Sequence, residues 1–501
     1  MGELTRLTPT AVWKHFENFC AIPRPSYHEE AAALYVMKEA ERFGCSSRRD
    51  ASGNVVVAVP ATPGMADRPI VVLQGHLDMV PVAAPGLKHD FTRDPIQPYI
   101  NGDYVKARGT TLGADNGIGC ALGLGLMEDD TAEHGPLELL FTVNEEAGMD
   151  GAHGLESDFV KGRILINPDT EAWGEICISC AGGGDVVIRL PVEREDAIDG
   201  CVQIHIRLSG LRGGHSGLNI NDGHGNANKI LARCLVAGRE ASTVRLISLS
   251  GGTKRNAIAD GAKATVQVPT GQQASFRSAV DRTMATIARE LAGTDPGMTV
   301  EMDTIGPGEE RLRPMTREST DSAINFLIAL PHGVLAMSRE IPGLVETSVN
   351  MGVLESTEKM VTVVVSARSA VNSQLEAALQ QIRAIGHFAG CEIEESGGYP
   401  GWKPDKDSPL LKTAVKVFKA LHGAEPQIKA VHAGLECGLF SEKLRGVDMI
   451  SFGPTIQHAH SPAEQVYHPS VAWVYEFIKE ILKEIAFSLG ASRQRHQRVS
   501  H

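Results

Sequence analysis

The stretch PIVVLQGHLDMV, residues 69–80, determines the fold that we expect. Its apolar run, Ile70–Leu73, is followed directly by polar residues, which is typical of a strand buried on both faces of a parallel sheet. Other short apolar runs predict strands at 54–61, 137–144 and 163–167, and a segment of small apolar residues predicts a buried helix at 116–128. Short buried strands that alternate with helices predict an α/β core with a largely parallel mixed sheet flanked by helices.

The middle of the chain follows a different pattern. Val202–Leu208 alternates strictly between apolar and polar residues, as a half-exposed strand does. One order of elements follows and then returns: helices near 226–238 and 275–291 with strands near 244–250, 263–268 and 298–303, and then helices near 320–330 and 375–385 with strands at 345–354, 360–367 and 391–395. This predicts an inserted α+β domain at 187–396 with a duplicated α/β unit. We expect Gly182–Gly184 to form a flexible hinge before it.

Both ends of the chain share the first pattern. Residues 26–43 predict a helix that opens with a capping box from Ser26 to Glu29. Near the other end, the pattern predicts a helix at 409–421, a buried strand at 448–454 and an amphipathic helix near 470–488. We therefore expect residues 1–186 and 397–501 to form one core domain.

The composition excludes several classes of protein. With 42% hydrophobic and 22% charged residues, the chain is typical of globular proteins. A net charge of −13 argues against nucleic-acid binding, which needs a basic surface. No apolar run approaches the ~18 residues of a membrane span. The nine cysteines lack a paired zinc-binding pattern, so we expect reduced thiols in a cytoplasmic protein.

Polar clusters follow the predicted strands at the points where sites in α/β sheets are built. His76 and Asp78 follow the first strand, and on an extended segment they point to the same side. This suits an imidazole that binds a metal ion together with a carboxylate. The spacing alone leaves open whether Asp78 binds the ion or supports His76.

Four more polar clusters lie directly after a predicted strand or at the start of a predicted helix. They contain Asp115, the pair Glu145 and Glu146, Asp169, and the pair His458 and His460. Each has an ordinary alternative: Asp115 as a helix N-cap, the others as exposed turn or loop residues. Together, two histidines and three or four carboxylates fit two divalent ions that share one carboxylate. Two such ions hold a water molecule in hydrolases, and a free carboxylate beside it takes its proton.

At these residues the sequence resembles the aminoacylase, carboxypeptidase and dipeptidase family of two-zinc hydrolases. The matching segments occur in the family's order across nearly the whole chain: Gly75–Asp78, Gly113–Gly117, Glu145–Glu146, Asn167–Asp169, Gly213–Gly217 and His460–Pro462. Further segments resemble the cytosolic aminoacyl-histidine dipeptidase branch of that family: Lys254–Ile258, Tyr399–Trp402 and His432–Gly438.

The resemblance implies a role for each residue of the core cluster. Asp115 would bridge two zinc ions, and cobalt or manganese also suits such ligands. The remaining roles follow the family's motifs: His76 and Asp169 on one ion, Glu146 and His460 on the other, Asp78 orienting His76, and Glu145 as general base. An exchange of roles between Glu145 and Glu146, or between His458 and His460, stays open. The resemblance also implies a cis peptide bond between Asp115 and Asn116.

The resemblance further implies that the inserted domain is a lid. His215, in a glycine-rich turn, would stabilise the oxyanion of the tetrahedral intermediate. Asn256 and Arg368 would bind polar groups of the substrate, with the guanidinium of Arg368 suited to a terminal carboxylate. Backbone N–H groups near Gly434 would bind the same carboxylate. A homodimer is compatible with the family.

The predicted function is therefore that of a metallodipeptidase that acts on dipeptides of the Xaa-His type, with a broader range open. A bridging hydroxide would attack the peptide bond, with Glu145 as general base. One alternative is a deacylase of N-acyl amino acids, which would share every metal-binding residue. The other is a non-catalytic relative that binds peptides or metal, which predicts a lost base or lost ligands, whereas every matched position keeps its chemical type.

Overall fold

The computed structural model describes residues 2–305 and 313–498, with the backbone alone for 488–498. The chain folds into two compact units. Unit 1 contains the described residues of 1–179, 404–430 and 435–501, and unit 2 contains those of 180–403 and 431–434.

Unit 1 begins with five helices and eight strands, the last of which ends at the first residue of unit 2. In chain order they are α1 Thr10–Ala21, α2 Glu30–Arg42, β1 Ser46–Arg49, β2 Val55–Val59, β3 Val71–His76, β4 Pro98–Asn101, β5 Tyr104–Ala107, α3 Ala114–Met127, β6 Leu137–Thr142, α4 Glu145–Gly148, α5 Asp150–Gly154, β7 Ile164–Asn167 and β8 Glu175–Cys180.

Unit 2 follows with nine strands and four helices in its described part. They are β9 Gly182–Pro191, β10 Cys201–Ser209, α6 Ala227–Ala241, β11 Arg245–Gly251, β12 Ala262–Pro269, α7 Gln273–Glu290, β13 Thr299–Ile305, α8 Arg317–Ala329, β14 Gly333–Met337, β15 Val345–Ser356, β16 Met360–Ser369, α9 Asn372–Phe388 and β17 Glu392–Tyr399.

The chain then completes unit 1. The remaining elements are α10 Pro409–His422, β18 Gln427–Val431, α11 Glu436–Lys443, β19 Asp448–Ser451, β20 Ile456–Gln457, β21 Gln465–Tyr467 and α12 His468–Arg498.

An eight-stranded mixed sheet forms the centre of unit 1, with the order β1-β2-β6-β3-β7-β19-β8-β18. The strands β6, β3, β7 and β19 run parallel, and antiparallel partners flank them. This confirms the predicted α/β class with a mixed sheet, but only the four central strands are parallel, so the sheet is less parallel than the sequence predicts. Because the central strands are parallel, their carboxyl ends meet at one edge, and the candidate site residues follow those ends.

Helix α3 brings the next candidate ligand to this edge. It is buried along nearly its whole length, as its small apolar residues predict. Its first turn departs from helical geometry at Asp115 and Asn116, and the peptide bond between these two residues is cis. The N-cap position belongs to Gly113, which has a left-handed backbone with φ +69°. Asp115 is therefore not the N-cap of this helix, and its carboxylate is available for another task.

Unit 2 is built on a nine-stranded antiparallel sheet, with the order β13-β10-β12-β11-β15-β16-β9-β17 and with β14 paired to β15. Its two halves have the same arrangement: β10, β12, β11 and β13 in one correspond to β9, β16, β15 and β17 in the other. The first half lies in sequence between β9 and α8 of the second. Alternate residues of the strands, such as Ile204 and Ile206, bury against the helices in one apolar core.

Two local predictions are wrong. Ser26 does not cap α2: Tyr27 has φ +71°, the helix begins at Glu30, and the Ser26 hydroxyl donates to Asp78. The glycines at 182–184 are not a hinge, since they lie in β9 and pair with β16. A Cβ at Gly182 would collide with the backbone of Gly401, so close packing requires glycine there.

Two other features bear on the predicted class of protein. The nine cysteines, all in the described part of the chain, form no disulfide bond. Among the described residues, no helix is long and apolar enough to cross a membrane.

Candidate metal centre

The candidate residues of unit 1 meet around Asp115. Its Oδ1 lies 3.1 Å from His76 Nε2, at the end of β3, and its Oδ2 lies 3.1 Å from His460 Nε2. The two oxygens of one carboxylate therefore face two different imidazoles. This is the arrangement that a carboxylate shared by two ions requires.

Each histidine has a second carboxylate beside it. Asp169 Oδ1 lies 3.6 Å from His76 Nε2, and Glu146 Oε1 lies 2.9 Å from His460 Nε2. His76 is 1% exposed and the His460 side chain is 51% exposed, so the first group is enclosed and the second opens to solvent. Of the two histidines that the sequence left open, it is His460 whose imidazole lies against these carboxylates.

Asp78 contacts His76 on the side of the imidazole that faces away from Asp115. Its Oδ1 lies 3.3 Å from His76 Nδ1, the ring nitrogen that faces away from Asp115. Its two oxygens also accept from the backbone N–H groups of Glu145 and Glu146, at 3.0 and 3.1 Å. One fully buried carboxylate thus orients the imidazole and fixes the start of α4, which carries both glutamates.

Asn116 holds the second carboxylate of the enclosed group. Its amide donates to Asp169 Oδ1 and, at 3.0 Å, to Pro168 O. A Cβ at Gly75 or Gly119 would collide with the Asn116 side chain, so these two glycines make room for it between β3 and α3. No pattern in the sequence marks Asn116 as a functional residue, because its partners lie elsewhere in the fold.

The electrostatics indicate a site that requires positive charge. Burial and the surrounding carboxylates raise the pKa values of Glu145 and Asp169 well above their usual range, and burial also raises that of Glu146. Hydrogen bonds to Asp115 and Glu146 raise the pKa of His460 to about 11. Buried carboxylates this close together are ionised at neutral pH only when positive charge lies beside them.

The donor set fits divalent metal ions. His76, Asp115 and Glu146 offer ligand atoms that all lie within 4.8 Å of one another, an arrangement that could hold an ion. Imidazole and carboxylate ligands suit zinc and its neighbours in the first transition row. The types of these ligands and the distances between them therefore both suit a divalent metal ion.

Two buried charged residues hold the backbone of the centre, and the sequence analysis identified neither. The Glu464 carboxylate accepts from the N–H groups of Leu112, Gly113 and Ala114 at the start of α3. Arg24 donates to the carbonyl oxygens of Leu77 and Asp78 after β3, and of Gly113. Their partners are distant in sequence, so no local pattern indicates them.

The candidate residues of unit 2 form a second cluster. His215 Nδ1 accepts from the N–H groups of Gly217 and Leu218, at 3.2 and 3.0 Å. Burial and the nearby Arg368 lower the pKa of His215, which favours the neutral ring. A neutral ring that accepts at Nδ1 carries its proton on Nε2. His215 is therefore prepared to act as a hydrogen-bond donor.

Arg368 and Gly434 both contact Tyr399. The guanidinium donates to the Tyr399 hydroxyl at 2.9 Å, and a Cβ at Gly434 would lie 2.8 Å from the ring. Asn256 is exposed, and its carbonyl accepts from Ser216 N beside His215. A further member of the cluster is the buried His432, whose Nε2 lies 2.7 Å from Ser348 Oγ.

Residues 72–484 match the model of a peptidase family described as M20/M25/M40, a range that includes every candidate ligand. The chain belongs to this family. Membership of peptidase family M20/M25/M40 makes the chain a peptidase, as predicted, and accounts for the order of its motifs.

Individual relatives cover nearly the whole chain. The cytosol non-specific dipeptidase of Escherichia coli is 44% identical over 485 residues, 97% of this chain and 99% of that protein. The crystal structure of aminoacylhistidine dipeptidase from Vibrio alginolyticus has 41% identity and a TM-score of 0.90, covering 96% of this chain and 98% of that one. The aminopeptidase PepT of Bacillus cereus, at 16% identity and a TM-score of 0.55 over 96% and 99% of the two chains, shares the fold alone.

Proposed function

We propose that this M20/M25/M40 peptidase is a metallodipeptidase that hydrolyses dipeptides, including those of the Xaa-His type, with two zinc ions. The observation that carries the proposal is the placement of Asp115, whose two oxygens face His76 and His460. The names of its two similar relatives, a dipeptidase and an aminoacylhistidine dipeptidase, support the substrate class. The first of them is a cytosol protein by name, and we propose the same compartment for this chain.

Five side chains would hold the ions. His76 and Asp169 would bind one, Glu146 and His460 the other, and Asp115 both. When bound, the ions would polarise the scissile carbonyl and make a water molecule acidic. Asp78 would keep His76 in the tautomer that binds metal, because its carboxylate lies beside Nδ1.

Glu145 would move the proton. Burial raises the pKa of its side chain, the charges of Glu146 and Asp169 add to this effect, and His76 opposes it. Cations in the centre would act in the same direction as His76 and leave Glu145 ionised. The carboxylate would then take a proton from the attacking water and deliver it to the leaving amine.

Unit 2 would recognise the substrate. The Nε2–H group of His215 would donate to the carbonyl oxygen as negative charge develops on it. Arg368, held by the Tyr399 hydroxyl, would bind the terminal carboxylate, with Asn256 and the backbone at Gly434 as further contacts. A carboxylate that is bound one residue beyond the scissile bond would limit the substrate to dipeptides.

The test is a panel of substrates given to zinc-loaded protein, with chelated protein as the control. The panel contains alanyl-histidine, β-alanyl-histidine, alanyl-alanine, a tripeptide and N-acetyl-alanine. We expect zinc-dependent cleavage of the dipeptides, with the tripeptide and the acetyl compound left intact. Cleavage of N-acetyl-alanine alone would make the protein a deacylase, and no cleavage of any compound would reject a catalytic role.

A further inference from the structure

Glu464 is a buried acidic residue to which the proposed reaction assigns no task. It is 2% exposed, although it follows the half-exposed His460 by only four residues. Its Oε2 accepts from Leu112 N and Gly113 N at 2.7 and 3.1 Å, and its Oε1 from Ala114 N at 2.8 Å and Asp115 N at 3.5 Å. Both oxygens are thus directed at four consecutive backbone N–H groups.

These N–H groups belong to the start of the helix that presents Asp115. The first N–H groups of a helix have no partner within the helix, and a carboxylate is well suited to accept from them. Here the carboxylate comes from a segment that lies 350 residues away from Ala114 along the chain. The backbone of 112–115 is therefore held by a residue outside its own element.

The same segment carries one of the candidate ligands. From His460 to Glu464 the chain forms a short turn, in which Glu464 N donates to Ser461 O at 3.0 Å. One segment thus presents His460 to Asp115 Oδ2 and, four residues later, holds the backbone of Asp115. The loss of the Glu464 contacts alone would therefore move the backbone of Asp115 relative to His460.

We propose that Glu464 is a positioning residue of the metal centre, which sets the distance between Asp115 and His460 and thereby the affinity for the second ion. The inference rests on the proposed two-ion centre. Glu464 does not touch the ions or the substrate, and it acts through the backbone of Asp115. Residues that orient metal ligands typically contribute on the order of 10- to 100-fold to metal affinity or activity.

The main variant is Glu464→Gln. Its amide oxygen accepts from one pair of N–H groups, but its NH2 group meets the other pair, so two donors face each other. We expect the affinity for the second zinc ion to fall by about 10- to 100-fold in competition with a chromogenic chelator, and the affinity for the first ion, which His76 and Asp169 would also hold, to fall less. The absorption spectrum of the cobalt-loaded protein should change, and kcat at saturating zinc should fall with little change in KM.

A matched control separates positioning from stability. Glu138 is also a buried carboxylate of unit 1, and it accepts from the N–H groups of Lys161 and Gly162 at 2.7 and 2.9 Å. It lies near the amino end of β6, whereas the metal centre lies beyond the carboxyl ends. We expect Glu138→Gln to lower thermal stability and leave both zinc affinities and the cobalt spectrum unchanged.

The outcomes separate this inference from the proposed function. Wild-type protein that binds fewer than two ions would remove the two-ion centre and the role of Glu464 with it. Wild-type protein that binds two ions, together with a Glu464→Gln variant of equal affinity and spectrum, would overturn the inference alone. If Glu464→Gln does not fold, Glu464→Asp keeps the charge and retracts it by one methylene, and we expect an intermediate loss of affinity. Wild-type affinity in Glu464→Asp would then overturn the inference.

Discussion

Glu145 and Glu146 are neighbours in sequence, yet their side chains have different surroundings. The Glu146 carboxylate lies 2.9 Å from His460, in the group that opens to solvent. The Glu145 carboxylate is held near three other acidic residues, Glu146, Asp169 and Glu436, and burial raises its pKa well above the usual range. Of the two assignments that the sequence leaves open, this geometry favours Glu146 as the ligand and Glu145 as the base.

The first prediction concerns this base. We expect Glu145→Gln to lower kcat by about 10²- to 10⁴-fold, because general-base catalysis contributes this much and an amide cannot accept the proton. Metal content, measured on the purified variant, should stay at the wild-type level. Glu156→Gln, a change in an exposed carboxylate, serves as the control. A Glu145→Gln enzyme with wild-type turnover would remove Glu145 from this role.

The second prediction concerns His215. Replacing it with asparagine or with glutamine tests the two ring nitrogens separately. Asparagine places an acceptor near Nδ1, so His215→Asn should keep the turn at Gly217 and remove the Nε2–H donor. Glutamine places a donor near Nε2. We expect His215→Asn to lower kcat by about 10²- to 10³-fold and His215→Gln to retain more activity, with metal content unchanged in both. Equal rates for the two variants would contradict a donor role at Nε2.

The residues of the site divide according to how far away their partners lie in sequence. His76, Asp115, Glu146, Asp169 and His460 could be predicted, because each stands beside a recognisable strand end or motif. Arg24, Asn116, Glu436 and Glu464 could not, because their significance lies in contacts across the fold. Glu464, for example, lies 352 positions from Leu112, and a single glutamate in a loop has no pattern of its own.

At the scale of elements, apolar runs predicted the buried strands and helices well. β3, β6, β7 and α3 all lie within the segments that the apolar pattern marks or within two residues of them. Strands such as β1, β4 and β20 were not predicted, since they are short and mostly exposed or carry few apolar residues. Their pairing depends on the strands beside them and not on their own composition.

The third prediction concerns helix α1, where His15 is fully buried. Its Nδ1 lies 2.6 Å from the Tyr35 hydroxyl, and burial, aided by Lys14 and Arg42, lowers the pKa of His15 to about 3. In the unfolded chain His15 takes up a proton near pH 6.5, and in the folded chain it does not. The folded state therefore binds fewer protons between these values, so its stability is retained above pH 6.5 and falls as the pH decreases.

The measurement is the thermal midpoint of unfolding between pH 8 and pH 4, for the wild type and His15→Asn. Asparagine keeps a polar atom near Nδ1 for Tyr35 and does not titrate. The contribution of His15 approaches a slope of about 1.4 kcal/mol per pH unit, so the wild type should lose its advantage over the variant as the pH falls. A difference between the two proteins that is constant with pH would contradict a neutral buried His15.

The chain passes from unit 1 to unit 2 and back to unit 1, and four residues, 431–434, belong to unit 2 again. Because the pattern of the strands changes from buried to alternating, the sequence predicts an insert at 187–396, and the long part of unit 2 is Cys180–Lys403. The short return could not be predicted, since four residues carry no periodicity. It matters for the site, because it brings His432 and Gly434 to the cluster of Arg368 and Tyr399.

In the duplicated arrangement of unit 2, too, single elements could be predicted from the sequence and their long-range pairing could not. The helices and paired strands of each half could be read from their periodicity. The nesting of one half inside the other could not, because β9 stands next to β16 in the sheet and 169 residues before it in the chain. Pairings over such distances depend on packing of the whole sheet.

We propose that two metal ions held around Asp115 make this chain a dipeptidase. The most direct test is the hydrolysis of alanyl-histidine by chelated, metal-free protein to which zinc is added in measured equivalents. We expect no turnover without zinc and a rise in activity that is complete only when two ions are bound per chain. Full turnover in the chelated protein, or an activity that is complete at one equivalent, would contradict it.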